Sequence, residues 1–193
     1  MPASLATFQS TLQELINNFQ RDLDYFRSKS YLEAAVRLDF INPFFDALGW
    51  DITNRAGLRH DQREVIVEKG ETDMIGRPDY SFRVDGRTKF FVEAKAPCEP
   101  LNLPKHIMQA KSYAWSTKEV FFMALTDFGE FRFYDASIKP DERNPNEGLS
   151  VQLTYGEYLK SAAKLWEFFE LYGITDDERT LIEGAGRVLN PTS

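Results

Sequence analysis

The stretch that decides the fold is PDYSFRVDGRTKFFVEAKA, residues 78–96. Two runs inside it, YSFRV at 80–84 and TKFFVEAKA at 88–96, are rich in β-branched and aromatic residues, which is typical of strands. Between them stands Asp85-Gly86, a dipeptide that favours tight turns because both positions accept a positive φ. The stretch therefore predicts an antiparallel β-hairpin.

The register of this hairpin decides which polar side chains share a face. Side chains alternate along a strand, so Glu93 and Lys95 point to the same side of the sheet. A regular two-residue turn would set Asp79 opposite Val92, on the other face. A three-residue loop, Asp85-Gly86-Arg87, would set Asp79 opposite Glu93 instead. We predict the second register, or a bulge with the same effect, so that Asp79 and Glu93 converge.

The rest of the chain alternates between helical and strand patterns. Apolar residues at spacings of three and four predict helices at 5–28, from Ser30 to Gly49, and at 105–116, 156–172 and 176–189. β-Rich runs predict strands at 63–69, 119–126, 130–135 and 151–155. This order predicts an α/β domain with a central mixed sheet and helices packed on its faces. We expect one domain over residues 1–175, followed by a helix and tail, 176–193, that could connect to further domains.

Composition and charge limit the classes of function. A net charge of −7 argues against a polyanion partner, but Arg77–Lys118 holds eight Lys or Arg against four Asp or Glu. That segment carries +4 and the rest −11, which fits either a phosphate-binding patch or an ordinary solvated surface. No apolar run is long enough to span a membrane, and the N-terminus has no secretory pattern. A single cysteine, Cys98, fits a reducing cytoplasm.

Asp79, Glu93 and Lys95 together suit phosphodiester hydrolysis. Two carboxylates can hold a hard cation such as Mg²⁺, and the backbone carbonyl of Ala94 is a further candidate ligand. Such an ion stabilises negative charge on phosphate and lowers the pKa of bound water, while an ammonium group can orient that water. Simpler interpretations are a turn aspartate after Pro78 and a surface ion pair of Glu93 with Lys95. The otherwise apolar strand FFVEAKA favours a site.

The same residues resemble a known nuclease signature. Pro78-Asp79, thirteen intervening residues and Glu93-Ala94-Lys95 resemble the PD-(D/E)xK pattern. Gln109 and Tyr113 match the QxxxY element of RecB-like nucleases. The stretch LEAAVRLDFINPFFDALGWD, with RPDYSF and FVEAKAP, is similar to the N-terminal nuclease region of type I restriction enzymes and of fused type IIG enzymes that carry their own methyltransferase. The resemblance covers roughly residues 30–135.

The resemblance implies a restriction-endonuclease-like fold and a Mg²⁺-dependent deoxyribonuclease in which Mn²⁺ can replace Mg²⁺. Asp79, Glu93 and Lys95 would be catalytic, with Asp79, Glu93 and the carbonyl of Ala94 as metal ligands. The family often adds an acid from an early helix, and Glu33 matches that position. Glu33 is equally explained by a capping box with Ser30 or by an ion pair with Arg37.

The expected partner is double-stranded DNA. Gln109 and Tyr113 would contact the substrate strand, and Arg77 and Lys111 could contact phosphates. Cutting both strands would need two copies meeting on DNA as a transient dimer, and the resemblance implies methyltransferase or specificity domains or subunits as further partners. A module of nuclease fold that binds nucleic acid or protein without cutting is the alternative.

Overall fold

The computed structural model describes residues 3–68 and 77–174. The described helices are α1 (Leu5–Arg21), α2 (Leu23–Phe26), α3 (Glu33–Val36), α4 (Asn42–Ala47), α5 (Pro104–Ser116) and α6 (Ala162–Ile174). The strands are β1 (Val65–Val67), β2 (Tyr80–Val84), β3 (Arg87–Ala94), β4 (Phe122–Thr126), β5 (Glu130–Asp135) and β6 (Leu149–Thr154). The last residue of the predicted strand at 63–69, most of the loop that follows it, and the predicted helix at 176–189 with its tail lie outside the described residues.

The strands form one mixed sheet, and this confirms the predicted α/β class. Its six described strands lie in sequence order, from β1 at one edge to β6 at the other. Strands β3 and β4 are parallel, whereas every other neighbouring pair is antiparallel. A parallel pair needs a crossover connection, and α5 provides it between β3 and β4. This architecture is compatible with a restriction-endonuclease-like core.

Two hydrophobic clusters cover the two faces of the sheet. The larger joins α1, the α3–α4 region and α6 to one face and is dominated by aromatic rings. The smaller packs α5 against the other face through Ile107, Ala110 and Ala114. Strand β3 divides its side chains accordingly, with Phe90 in the larger cluster and Phe91 in the smaller. Glu93 follows Phe91 by two residues and therefore points to the α5 side of the sheet.

The N-terminal helices differ in detail from the sequence prediction. The single helix expected at 5–28 is interrupted at Asp22, which separates α1 from α2. The helix expected from Ser30 begins at Glu33, and its N-cap is Leu32, which makes no side-chain capping bond. The capping-box interpretation of Ser30 and Glu33 is therefore wrong.

A π-helical turn, Arg37–Ile41, separates α3 from α4. Pro43 lies in the first turn of α4, directly after this wide turn. The helix ends as predicted, because Gly49 has a φ of 100° and its N–H donates to the carbonyl of Asp46. Helical residues thus run without a break from Glu33 to Ala47, with one wide turn in the middle.

Two later elements begin after their predicted starts. Strand β4 begins at Phe122 rather than at residue 119, because Glu119 has a φ of 75°, which is incompatible with an extended strand. Helix α6 begins at Ala162 rather than at residue 156. Glu157 instead closes a turn, since its carboxylate accepts from the N–H and the hydroxyl of Thr154. None of the helices in the described ranges is both long and apolar enough to cross a membrane.

Candidate active site

The hairpin reaches the predicted register through a bulge. Val84 pairs with Arg87 across a two-residue turn, in which Asp85 and Gly86 have φ values of 50° and 77°. The three-residue loop is therefore wrong. A register shift beyond Phe82 then pairs Tyr80 with Val92. One further step sets Asp79 opposite Glu93, so the bulge alternative is confirmed.

Asp79 is held from two sides. Its Oδ1 accepts a hydrogen bond from Arg37 Nη1 at 2.7 Å, and its Oδ2 accepts one from the backbone N–H of Ala94 at 2.8 Å. The side chain is only 13% exposed. The carboxylate therefore links the π-helical turn to the end of β3.

Glu93 and Lys95 form a buried pair next to Asp79. Lys95 Nζ donates to Glu93 Oε1 at 2.7 Å, and both residues are buried. The second carboxylate oxygen, Glu93 Oε2, is buried and has no hydrogen-bond partner in the described part of the chain. An unsatisfied buried acceptor costs free energy of about 1–3 kcal/mol. This oxygen is thus an open position for a cation or a donor.

Glu33 completes the acidic cluster from the start of α3. Its Oε2 lies 3.6 Å from Lys95 Nζ, and its side chain is 39% exposed. The helix therefore brings this residue to the end of β3, beside the buried pair. In the described part of the chain Glu33 is paired with Lys95 rather than with Arg37, and its role as a metal ligand stays a prediction.

Burial and mutual repulsion raise the pKa values of the two glutamates. Burial raises the pKa of Glu93 most, the nearby Asp79 raises it further, and Lys95 opposes both effects. The pKa of Glu33 is raised by burial and then by Asp79. Burial lowers the pKa of Lys95, but the combined attraction of Glu93, Glu33 and Asp79 outweighs it, so this pKa is also raised. The carboxylates therefore gain from a nearby positive charge.

The donors present are of the kind that a hard cation prefers. Asp79 and Glu93 supply carboxylate oxygens, and Glu93 Oε2 lacks any other partner. Within residues 3–68 and 77–174, no group of three or more His, Cys, Asp or Glu residues is arranged to hold a metal ion. The fit to Mg²⁺ thus rests on two carboxylates, with backbone carbonyl and water as the remaining candidate ligands.

Sequence reasoning considered Arg37 only as a partner of Glu33. The structure shows it paired to Asp79, with the guanidinium also donating to the carbonyl of Glu68 at 2.8 Å. Its position one helical turn after Glu33 was the available signal, since residues four apart share a helix face. The contact to Asp79 depends on packing between distant segments, which no local pattern encodes.

The residues predicted to contact nucleic acid lie in different surroundings. Gln109 and Tyr113 are joined on α5 by a hydrogen bond of 3.0 Å, with Gln109 exposed and Tyr113 half-buried. Arg77 is exposed and lies 3.3 Å from Glu68. Lys111 is buried, and its ammonium donates to the carbonyl of Glu147 at 2.7 Å. Neither the Gln109–Tyr113 bond nor the contacts of Lys111 reach the acidic cluster.

Comparison with known proteins adds an independent observation. The chain is 35% identical over 176 residues to the type II restriction enzyme and methyltransferase RM.Eco57I of Escherichia coli. The chain is similar to part of a restriction enzyme. The matched region covers 89% of this chain and 16% of that protein, so the chain spans about one sixth of its relative. No protein-family model matches the chain, and no solved structure matches it.

Proposed function

We propose that this domain is a Mg²⁺-dependent DNA endonuclease of the restriction type, with a PD-(D/E)xK site. One observation carries the proposal: the bulged hairpin sets Asp79 opposite Glu93, with the Lys95 ammonium 2.7 Å from the Glu93 carboxylate. The similarity to a restriction enzyme supports a nuclease in general. The residues of the acidic cluster thus belong to a chain that is similar to part of a restriction enzyme over most of its length.

Each residue of the acidic cluster has a proposed role. Asp79 and Glu93 would hold the cation, with the Ala94 carbonyl and Glu33 as further candidate ligands. A bound Mg²⁺ would supply charge stabilisation at the phosphate and a bound water of lowered pKa. Lys95 would orient the attacking water and offset negative charge that develops on the phosphate. The buried ammonium is held in one place because Glu93 Oε1 lies 2.7 Å from it and Glu33 Oε2 lies 3.6 Å from it.

DNA is the proposed substrate. The exposed amide of Gln109 and the hydroxyl of Tyr113 lie on α5, which packs on the face of the sheet to which Glu93 points. We assign them to the substrate strand, with Arg77 as a phosphate contact. One site cuts one strand, so cleavage of a duplex would require two copies. Association with a methyltransferase is part of the proposal because the relative is described as a restriction enzyme and methyltransferase.

Metal-dependent nicking of supercoiled plasmid DNA tests the proposal. The wild-type chain should nick with Mg²⁺ or Mn²⁺ and not with excess chelator. Asp79→Asn and Lys95→Met should each slow nicking by about 100-fold or more, since each removes a group that acts on the reacting phosphate or water. Asp61→Asn is a matched control, because the Asp61 carboxylate is exposed and pairs only with Arg59 in the described contacts.

The result also separates cutting from binding. A wild-type chain that retards DNA at low salt but never nicks, with any divalent cation, would be a binding module of nuclease fold. A chain that neither nicks nor retards DNA would contradict a nucleic-acid function altogether. Circular dichroism of each variant would show that a loss of nicking is not a loss of folding.

A further inference from the structure

Arg37 enters the candidate site from the first residue of the π-helical turn. Besides Asp79 and the carbonyl of Glu68, its guanidinium contacts Tyr80, with Nε 3.4 Å from the hydroxyl and the central carbon 4.9 Å from the ring centroid. The side chain is 12% exposed. A planar guanidinium can satisfy several acceptors at once in a fixed geometry, which a lysine ammonium on a flexible stem cannot reproduce.

These contacts fix the orientation of Asp79 relative to β3. Arg37 holds Oδ1, and the N–H of Ala94 holds Oδ2. Tyr80, the next residue after Asp79, is itself anchored, because its hydroxyl donates to Asn42 Oδ1 at 2.7 Å. The Asp79 carboxylate is therefore fixed from the helix and from the strand that carries Glu93. A ligand position defined this well is expected where a small ion must be held.

Arg37 also enters the charge balance of the cluster. The carboxylates of Asp79, Glu93 and Glu33 face the cations Arg37 and Lys95, so the five side chains sum to −1 when all are ionised. The guanidinium is bound directly to the carboxylate that a divalent cation would use. Because like charges repel, the guanidinium lowers the affinity of Asp79 for that cation while it holds the carboxylate in place.

We infer that Arg37 is a positioning residue that orients Asp79 for cation binding and, at the same time, competes electrostatically with the cation for this carboxylate. The inference rests on the proposed function. Arg37 differs from a purely structural arginine in the direction in which its removal changes the affinity for the metal ion. Removing the positive charge tightens metal binding even though it slows cleavage.

Two substitutions separate charge from geometry. Arg37→Met removes the charge and keeps an unbranched stem, and it should bind Mn²⁺ about 3–10-fold more tightly than the wild-type chain. Arg37→Lys keeps the charge and loses the fork, so its Mn²⁺ affinity should stay within about twofold of wild type. Both should nick plasmid DNA about 10-fold or more slowly at saturating Mn²⁺, because Asp79 is no longer fixed.

Isothermal titration of each chain with Mn²⁺ alone gives the affinity without any DNA or turnover. Arg83→Met is the matched control, because Arg83 also donates to backbone carbonyls, those of His60, Asp61 and Gly86, at the turn end of the hairpin. It should leave Mn²⁺ affinity and nicking unchanged. Thermal melting verifies folding, and Arg37→Gln, which keeps an amide donor for Asp79, makes the same charge change if Arg37→Met does not fold.

The outcomes distinguish the two proposals. A wild-type chain that neither binds Mn²⁺ nor nicks DNA overturns the proposed function, and the inference with it. A wild-type chain that binds Mn²⁺, beside folded Arg37→Met or Arg37→Gln chains whose affinity is unchanged or weaker, overturns the competition alone. Wild-type nicking rates in both Arg37→Met and Arg37→Lys overturn the positioning role.

Discussion

Lys95 and Lys111 are both buried, yet their ammonium groups bond to different classes of acceptor. Lys95 lies between the carboxylates of Glu93 and Glu33. Lys111 donates to the carbonyls of Glu147 and Pro145, in the segment that precedes β6. Because its partners are carboxylates, Lys95 belongs to a charged cluster that can bind a ligand. Because its partners are backbone carbonyls, Lys111 instead cross-links α5 to that segment.

Substitution of Lys111 separates its structural role from the predicted phosphate contact. We expect Lys111→Met to lower the free energy of unfolding by about 1–3 kcal/mol, because the carbonyls of Glu147 and Pro145 lose a charged donor. Urea denaturation measures the change. Lys118→Met, at an exposed position, should have little effect. A Lys111→Met chain of unchanged stability and weaker DNA retardation would instead support the phosphate contact.

Asp127 gives the domain a pH-dependent stability outside the acidic cluster. Burial raises its pKa from 3.8 to about 7, although the N–H of Glu130 donates to it. The folded chain therefore binds this proton more tightly than the unfolded chain. The resulting stability is fully present below the unfolded pKa near 4 and is lost as the pH rises through about 7.

Replacing this carboxylate by an amide should remove that loss. Asp127→Asn keeps an oxygen that can accept from Glu130, so we expect it to stabilise the domain by roughly 1–2 kcal/mol at pH 8, a value discounted for partial solvent access. The difference should shrink as the pH falls and vanish near pH 4. Denaturation of both chains across this range is the measurement. An equal gain at pH 4 and pH 8 would contradict it.

At the scale of elements, the helix that runs from α3 to α4 places Glu33 and Arg37 over the hairpin. Its end is set by Gly49, whose φ of 100° disfavours any side chain and whose added Cβ would lie 3.0 Å from the Cβ of Ala3. The helix terminus therefore depends on a residue without a side chain.

Gly49→Ala should destabilise the domain by about 1–2 kcal/mol through backbone strain and the contact with Ala3. Gly156→Ala is the control, because Gly156 has no atom within 4 Å of the added Cβ and no positive φ. The two melting temperatures give the comparison. Similar values for both variants would show that the end of α4 does not depend on this conformation.

Sequence patterns predicted the existence of these elements better than their irregularities. Strand β2 and strand β5 have the predicted bounds, because alternation and turn residues are local signals. The π-helical turn at Arg37 and the uncapped start of α3 were not predicted, and the bulge beyond Phe82 was predicted only as an alternative to a three-residue loop. Each of these is settled by packing between distant segments, which overrides local preference. The convergence of Asp79 and Glu93 was predicted from the sequence, which left a three-residue loop and a bulge open as its cause.

At the scale of the whole molecule, aromatic rings fill the larger cluster and hold the helices to the sheet. Phe90 lies at its centre, with the rings of Phe82 and Phe122 stacked at 4.4 and 4.6 Å between centroids. Trp50 meets Phe90 edge to face at 5.6 Å. Offset and edge-to-face contacts of this kind add to the free energy of burial. The cluster on this face therefore sets the position of β3, on which the candidate site depends.

Phe90→Ala should lower the free energy of unfolding by about 3–5 kcal/mol, since it leaves a large cavity, and Phe90→Leu should cost less. Urea denaturation of both variants gives the values. Because Glu93 points to the other face, a folded Phe90→Leu chain should still bind Mn²⁺. Loss of that binding in a folded chain would show that the two faces are coupled.

The parallel pairing of β3 with β4 affects when the candidate site can form as the chain is synthesised. Every acid and base of the cluster has been synthesised by residue 96, yet one long edge of β3 has no neighbour until Phe122–Thr126 is made. Even the backbone of Lys95 is tied to that later segment, through its N–H and the carbonyl of Thr126. A nascent fragment thus holds the full motif on an apolar strand with one unpaired edge, and the proposed site is complete only when a distant part of the chain docks.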